Sequence, residues 1–290
     1  MTNSKESPAE GKGVLITGCS SGIGWATAVH LAKQGLIVFA TVRKEADAER
    51  LRGLKDPNLI PICPLDLTLL EQIPSAAKTV RAELERRKLP GLFALIHNAG
   101  GGMVSPVEMM DLAAFRRELE TRVLGSVALT QAFLPMIRPA NGRIVWIMTP
   151  AAMPTPYVAS IHACDFAVNC LARTLDIELK RWKIPSIMIR CGGIKTETGM
   201  RTIADVDAAL KSAPPEKASL YKEAFCRWAE SMTAFDRKRT PPEKVAEVVF
   251  KAVSSAKPKH RYSIGYMARA AALLESMPQA LADRILKKRF

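Results

Sequence analysis

Short, uninterrupted apolar runs alternate with longer amphipathic stretches along most of the chain. Val14-Leu15-Ile16 is the first run. A glycine-bearing turn separates it from Trp25-Ala26-Thr27-Ala28-Val29-His30-Leu31-Ala32, which reads as a helix. Residues 36–42 predict a second strand, bounded by Gly35 and Arg43, and residues 59–67 a third that ends in Asp66. A charged helix is expected over 69–88, a fourth strand over 92–97 and a long helical stretch over 111–136. The turn Asn141-Gly142-Arg143 leads into a fifth strand over 144–148, followed by a helix over 160–182 and a sixth strand over 184–190. Residues 261–264 supply a seventh. The first run reads as a short buried strand. Strand and helix in alternation, with short turns, predict an α/β fold built as a doubly wound parallel sheet of about seven strands.

The pattern loosens over 196–240, where Leu210, Leu220, Tyr221, Phe225 and Trp228 are spread among charges. An insertion after the carboxyl end of a strand in such a sheet covers the ligand crevice, so 196–240 is expected to be a substrate lid. Thr240-Pro241-Pro242-Glu243 reads as a helix start, with Thr240 as cap, Pro241 at the first helical position and Glu243 at the third. Residues 265–290 set Leu273, Leu274, Leu281 and Ile285 against arginines and lysines and predict an amphipathic helical tail. Without internal repeats, residues 1–290 read as one domain.

A hydrophobic fraction of 48% supports one large core. No apolar run approaches the ~18 residues of a spanning helix. Residues 1–10 are polar and show no secretory signal. Cys19, Cys63, Cys164, Cys170, Cys191 and Cys226 have neither metal-ligand spacing nor a disulfide framework, which predicts reduced thiols, a cytoplasmic location and no metal. The net charge is +14, but the basic residues are scattered along helices without interleaved aromatics. No nucleic-acid partner is therefore expected, nor a membrane one; the surplus charge favours an anionic cofactor.

Thr17-Gly18-Cys19-Ser20-Ser21-Gly22-Ile23-Gly24 stands between the first strand and the first helix. That arrangement presents backbone N–H groups and a helix N-terminus to a phosphate. Gly18 suits a tight turn, Gly22 the approach of a pyrophosphate and Gly24 close helix–strand packing. Gly18, Ser20, Ser21, Gly22, Ile23 and Gly24 are therefore candidate dinucleotide contacts. The second strand ends in Thr41-Val42-Arg43-Lys44 rather than in an acidic residue, and cations there suit a ribose 2′-phosphate, so NADP(H) is expected over NAD. Asp66 is placed to accept from an adenine amino group. Asn98-Ala99-Gly100, continuing into Gly101 and Gly102, forms a second glycine turn beside the cofactor.

With Asn141-Gly142-Arg143-Ile144-Val145, Cys191-Gly192-Gly193-Ile194-Lys195-Thr196 and Arg261-Tyr262-Ser263-Ile264-Gly265, these motifs resemble the short-chain dehydrogenase/reductase superfamily over nearly the whole chain. Its hydroxysteroid and retinol dehydrogenase branch is the most similar. The resemblance implies a Rossmann-like fold, nicotinamide contacts from Ile194 and Thr196, and 2′-phosphate contacts from Ser20 and Arg43. It also implies a small hydrophobic substrate and a homodimer or homotetramer. In the family an Asn-Ser-Tyr-Lys tetrad moves the proton. The tyrosine is the acid or base, the lysine lowers its pKa and holds the ribose, the serine orients substrate, and the asparagine positions a water. The matching positions here are Arg122, Thr149, Ile161 and Asp165. Tyr157 lies four residues early, and bringing it into register leaves Ile161 in the lysine's place. An unperturbed histidine titrates near neutrality, so His162 is a candidate general acid, but its side chain is expected about 100° around the helix from the inward-facing Ile161.

Arg122 and Asp165 are expected to meet as an ion pair under the nicotinamide, either as structure alone or with Asp165 accepting from a ribose hydroxyl. A carboxylate there opposes the oxyanion of a ketone reduction and complements a cation such as an iminium. The expected function is an NADP(H)-binding, short-chain-dehydrogenase-like protein with a non-standard site. It would reduce a pre-activated, imine-like hydrophobic substrate, or act as a redox-neutral cyclase or isomerase. The alternatives are a cofactor-binding pseudoenzyme and an ordinary ketone or alcohol oxidoreductase.

Overall fold

The computed structural model describes residues 9–150, 154–197 and 202–289. Strands β1 (Gly13–Ile16), β2 (Ile37–Thr41), β3 (Leu59–Ile62), β4 (Leu92–His97), β5 (Arg143–Met148), β6 (Ser186–Cys191) and β7 (Arg261–Ile264) form one sheet in the order β3-β2-β1-β4-β5-β6-β7. Every neighbouring pair is parallel. The chain runs from β1 to one edge, then crosses back to β4 and runs to the other. That reversal opens a crevice outside the carboxyl ends of β1 and β4.

Helices clothe both faces because successive strand residues point to opposite sides. Val14 and Ile16 of β1 pack with Leu31 of α1 (Gly22–Lys33), Leu51 of α2 (Glu45–Arg52) and Val249 of α9 (Pro242–Ser254). Leu15 faces the other way, into a core with Val80 of α3 (Gln72–Arg86), Phe133 of α5 (Gly125–Ile137) and Val168 of α6 (Ala159–Glu178). Burial at every residue of β1, β2, β4 and β6 explains their lack of polar alternation.

Several boundaries differ from the sequence expectation. Strand β3 stops at Ile62, shortly before Pro64, which has no N–H to extend the ladder. Asp66 lies in the turn beyond it, where its Oδ1 accepts from the Thr68 backbone N–H at 3.0 Å and hydroxyl at 2.9 Å. The stretch 111–136 is not one α-helix: α4 (Leu112–Leu119) passes into a π-helical segment, Glu120–Leu124, before α5 begins. Helix α6 tightens into a 3₁₀ turn over Leu179–Trp182. The loose region contains two helices, α7 (Thr202–Ser212) and α8 (Pro215–Asp236), with Val206, Phe225 and Trp228 gathered against Tyr157 and Val158. Met200, another apolar residue that the sequence sets in this region, lies outside the described residues.

Thr240 is not a helix cap. Its N–H donates to Gly193 and its carbonyl accepts from Lys195, so it is fixed in extended pairing. Pro241 caps α9 instead, and Pro242 opens it. The tail forms α10 (Ala268–Glu275) and α11 (Gln279–Arg289), and Glu275 is ion-paired with the buried Arg190 of β6. Among the described residues no helix is long and apolar enough to cross a membrane.

Candidate functional site

The glycine loop is braced from β4. Thr17 Oγ1 accepts from the backbone N–H groups of Asn98 and Ala99, both at 2.9 Å. Asn98 Nδ2 donates to the carbonyls of Thr17 at 2.8 Å and Gly18 at 3.1 Å. The Asn98 side chain therefore shapes the loop. A Cβ on Gly24 would collide with the Gly18 carbonyl and Asn98 Nδ2, so only glycine lets the helix start this close to the strand. Gly22 has φ +56°, and Thr196 Cγ2 stands 3.2 Å from where its Cβ would be, so Thr196 flanks the loop from the β6 side.

Helix α1 starts after Ser21 without a side-chain cap and with no acidic residue in its first turn. Its leading N–H groups keep their positive partial charge without an internal counter-charge. Such a cradle fits a pyrophosphate. Arg43 is 70% exposed and 4.0 Å from Asp66 Oδ2. Arg50 was not singled out by the sequence. Its guanidinium lies 5.0 Å from the Trp25 ring centroid, and Nη1 donates to the Ser20 carbonyl at 3.4 Å. It is thus a cation beside Ser20. No spacing rule links residue 50 to the loop; only the packing of α2 against Trp25 does. Ile194 is 4% exposed, and its side chain packs against Gly265 while its carbonyl accepts from Arg239 Nη1 at 3.3 Å.

Arg122 sits inside the π-helical segment, a distortion frequent at functional sites. Its Nη1 donates to Asp165 Oδ1 at 2.5 Å, and Nη2 to the Gly101 carbonyl at 3.2 Å. Its Nε stands 3.3 Å from Glu118 Oε2, an ionic contact without hydrogen-bond alignment. Asp165 is 1% exposed. Its Oδ2 accepts from the Thr149 N–H at 2.7 Å and hydroxyl at 2.5 Å. Burial pushes the Glu118 carboxyl up from its ordinary range, with Arg122 opposing.

The triple glycine after β4 makes room for these side chains. A Cβ on Gly100 would lie 2.5 Å from Arg122 Nε, one on Gly101 would lie 2.9 Å from Glu118 Oε1, and one on Gly102 would overlap Ile161. This turn thus admits the side chains of the cluster, a role the sequence analysis did not give it.

His162 does not turn away from the cluster. Its Nδ1 stands 3.4 Å from Thr149 Oγ1. Residues three apart share a helix face, so His162 and Asp165 both reach Thr149, which a comparison with Ile161 alone misses. Burial lowers the His162 pKa; Asp165 opposes that shift and Arg122 adds to it. Tyr157 has φ +67° and packs 4.7 Å from Phe225 and 5.4 Å from Trp228, in the cluster of α7 and α8. Among the described residues no phenol oxygen is hydrogen-bonded to a lysine ammonium.

The profile of the short chain dehydrogenase family matches residues 12–207. A 3-amino-tetrahydro-pyrrolizinone reductase of Xenorhabdus hominickii is 28% identical over 256 residues, covering 88% of this chain and 87% of its own. An NADPH-dependent 3-dehydrocapnine reductase of Ornithobacterium rhinotracheale is 29% identical over 287 residues, covering 94% and 95%. Among solved structures, a short chain dehydrogenase from Burkholderia cenocepacia J2315 in complex with NADP superposes with a TM-score of 0.72 at 23% identity, over 96% of this chain and 98% of that one.

Proposed function

The chain belongs to the short-chain dehydrogenase family, and from that premise we propose that it is an NADP(H)-dependent reductase of a small hydrophobic imine or iminium ion. The cofactor assignment is supported by Arg43 beside Asp66 and Arg50 beside Ser20. It is also supported by the relative named as NADPH-dependent and by the likeness to an NADP complex. Bound along the glycine loop, the dinucleotide supplies a hydride. The first turn of α1 holds the pyrophosphate, Ser20 with Arg43 and Arg50 the 2′-phosphate, and Thr196 and Ile194 flank the nicotinamide.

One observation carries the choice of substrate. Asp165 and Glu118 share a single guanidinium at the carboxyl end of the sheet. When both carboxylates are ionised the cluster bears one excess negative charge. Such a field stabilises a substrate cation and opposes a developing oxyanion. Among the described residues no tyrosine phenol is hydrogen-bonded to a lysine ammonium, the pairing that would neutralise that oxyanion. A substrate that is already cationic accepts hydride without one. The relative from X. hominickii is named for an amino-bearing nitrogen heterocycle, in keeping with a nitrogen substrate. The chain's free cysteines accord with a reducing cytoplasm. Exposed Leu112, Leu124, Phe166 and Ile177 on α4 to α6 offer a surface for a homodimer or homotetramer.

The test is NADPH oxidation with 2-methyl-1-pyrroline and with cyclohexanone. The proposal expects kcat/KM at least ~100-fold higher for the imine, the scale of an oxyanion left without stabilisation on the ketone. Equal or faster ketone reduction refutes it. Tight NADPH binding with neither compound consumed indicates the pseudoenzyme reading. That second reading draws on Asp165, Arg122 and Thr149 satisfying one another and on Ile161 seated against Gly102.

A further inference from the structure

Building on that proposed reduction, we propose that His162 delivers the proton that turns a neutral imine into the iminium. The Asp165 carboxylate only accepts, so the Thr149 hydroxyl spends its one hydrogen on Oδ2 at 2.5 Å. Thr149 Oγ1 can then only accept from His162, 3.4 Å away, which puts a hydrogen on Nδ1. In the neutral ring Nε2 is left with a lone pair, and in the protonated ring Nε2 carries the mobile hydrogen. The contact with Thr149 is made by Nδ1, which leaves Nε2 on the far side of the ring from it. Arg122 Nη1 and the Thr149 N–H fix Asp165, so the ring is held by a chain rooted in a buried ion pair.

The charged and titratable groups that face His162 are Asp165 on its own helix and Arg122 from the π-helical segment, with Glu118 of α4 acting through Arg122. Thr149, at the end of β5, places the ring at the carboxyl edge of the sheet, where ligands of this fold bind. In the step proposed here the proton leaves Nε2. The imine nitrogen lone pair forms the new N–H bond, and the iminium so made is the hydride acceptor of the proposed reduction. His162 is left neutral and regains a proton from water. A ring whose charged form is disfavoured by burial gives up its proton readily.

The experiment compares a neutral imine, 2-methyl-1-pyrroline, with a permanently charged one, 1,2-dimethyl-1-pyrrolinium, at one pH with saturating NADPH. In His162→Gln the ratio of neutral to charged turnover should fall by about 100-fold, the usual scale of general-acid catalysis. A ratio within threefold of wild type overturns the proton assignment alone. Wild-type protein that reduces neither compound overturns the reading of the reaction and the assignment with it. An independent readout uses unliganded wild type, where imidazole ¹⁵N–¹H correlation spectra should show His162 in the Nδ1–H form. Thr149→Val should lose that preference. An Nε2–H form in wild type overturns the proposal.

Discussion

Replacing Arg122 with methionine leaves Asp165 charged, 1% exposed and without the donor that meets Oδ1 at 2.5 Å. Removing one partner of a buried pair costs about 3–5 kcal/mol, because the remaining charge is desolvated without compensation. Oδ2 keeps both hydrogen bonds from Thr149, which sets the expected loss near the lower end, about 3 kcal/mol. For a chain of this size that is a fall in Tm of about 6–12 °C. The loss depends on pH. Glu118 carries the pH dependence: burial already pushes its carboxyl up, and without the guanidinium it loses the charge that opposes that shift. Between its unfolded and folded values the native state binds more protons than the unfolded state, so stability falls as pH rises. Urea unfolding should therefore show Arg122→Met closer to wild type at pH 5 than at pH 8. The double variant Arg122→Met with Asp165→Leu should recover most of the loss, since an apolar pair of similar volume replaces a buried ion pair at little cost. A loss under about 1 kcal/mol at pH 8, or a double variant less stable than the single, would refute this reasoning.

Arg43→Ala combined with Arg50→Ala should weaken NADPH binding by about 10- to 100-fold and leave NADH nearly unaffected, measured by nicotinamide fluorescence titration. Gly24→Ala should abolish dinucleotide binding altogether, because its Cβ displaces the Gly18 carbonyl; a saturable titration by the folded variant would contradict the cradle described here. His97 is fully buried, stacked 4.1 Å from Trp146, and burial holds its pKa down to about 3 against an ordinary 6.5. The unfolded chain takes up that proton first, so stability present above pH 6.5 is lost as pH falls toward 3. Between pH 7 and 5 His97 alone should account for roughly 2 kcal/mol of the loss, and His97→Asn should show that much less acid sensitivity in urea midpoints.

The strand count, the parallel doubly wound arrangement and the glycine loop were legible because they rest on local pattern: apolar runs alternating with helical stretches, glycine at fixed offsets, and short turns. The pairing of Arg122 with Asp165 was legible for a different reason, namely that two residues of opposite charge replace groups expected to be neighbours. What escaped the sequence is set by tertiary packing. The π-helical turn at Arg122 has no propensity signal, and Gly100-Gly101-Gly102 reads as a backbone feature until Arg122, Glu118 and Ile161 are seen against it. Thr240 looked like a cap because its hydroxyl precedes two prolines, yet pairing with Gly193 and Lys195 commits its backbone elsewhere. His162 was misread because a helical wheel relates it to Ile161, whereas Asp165 one turn on decides which hydroxyl it can reach.

A crystal structure with NADPH bound tests the central claim most directly. The account predicts the dinucleotide along the first turn of α1 with its 2′-phosphate between Arg43 and Arg50. It also predicts the Arg122–Asp165 contact unbroken and no phenol beside the nicotinamide C4. Tyr157 swung out of its contacts with Phe225 and Trp228 to stand over that atom would contradict it, as would a glycine loop that admits no dinucleotide.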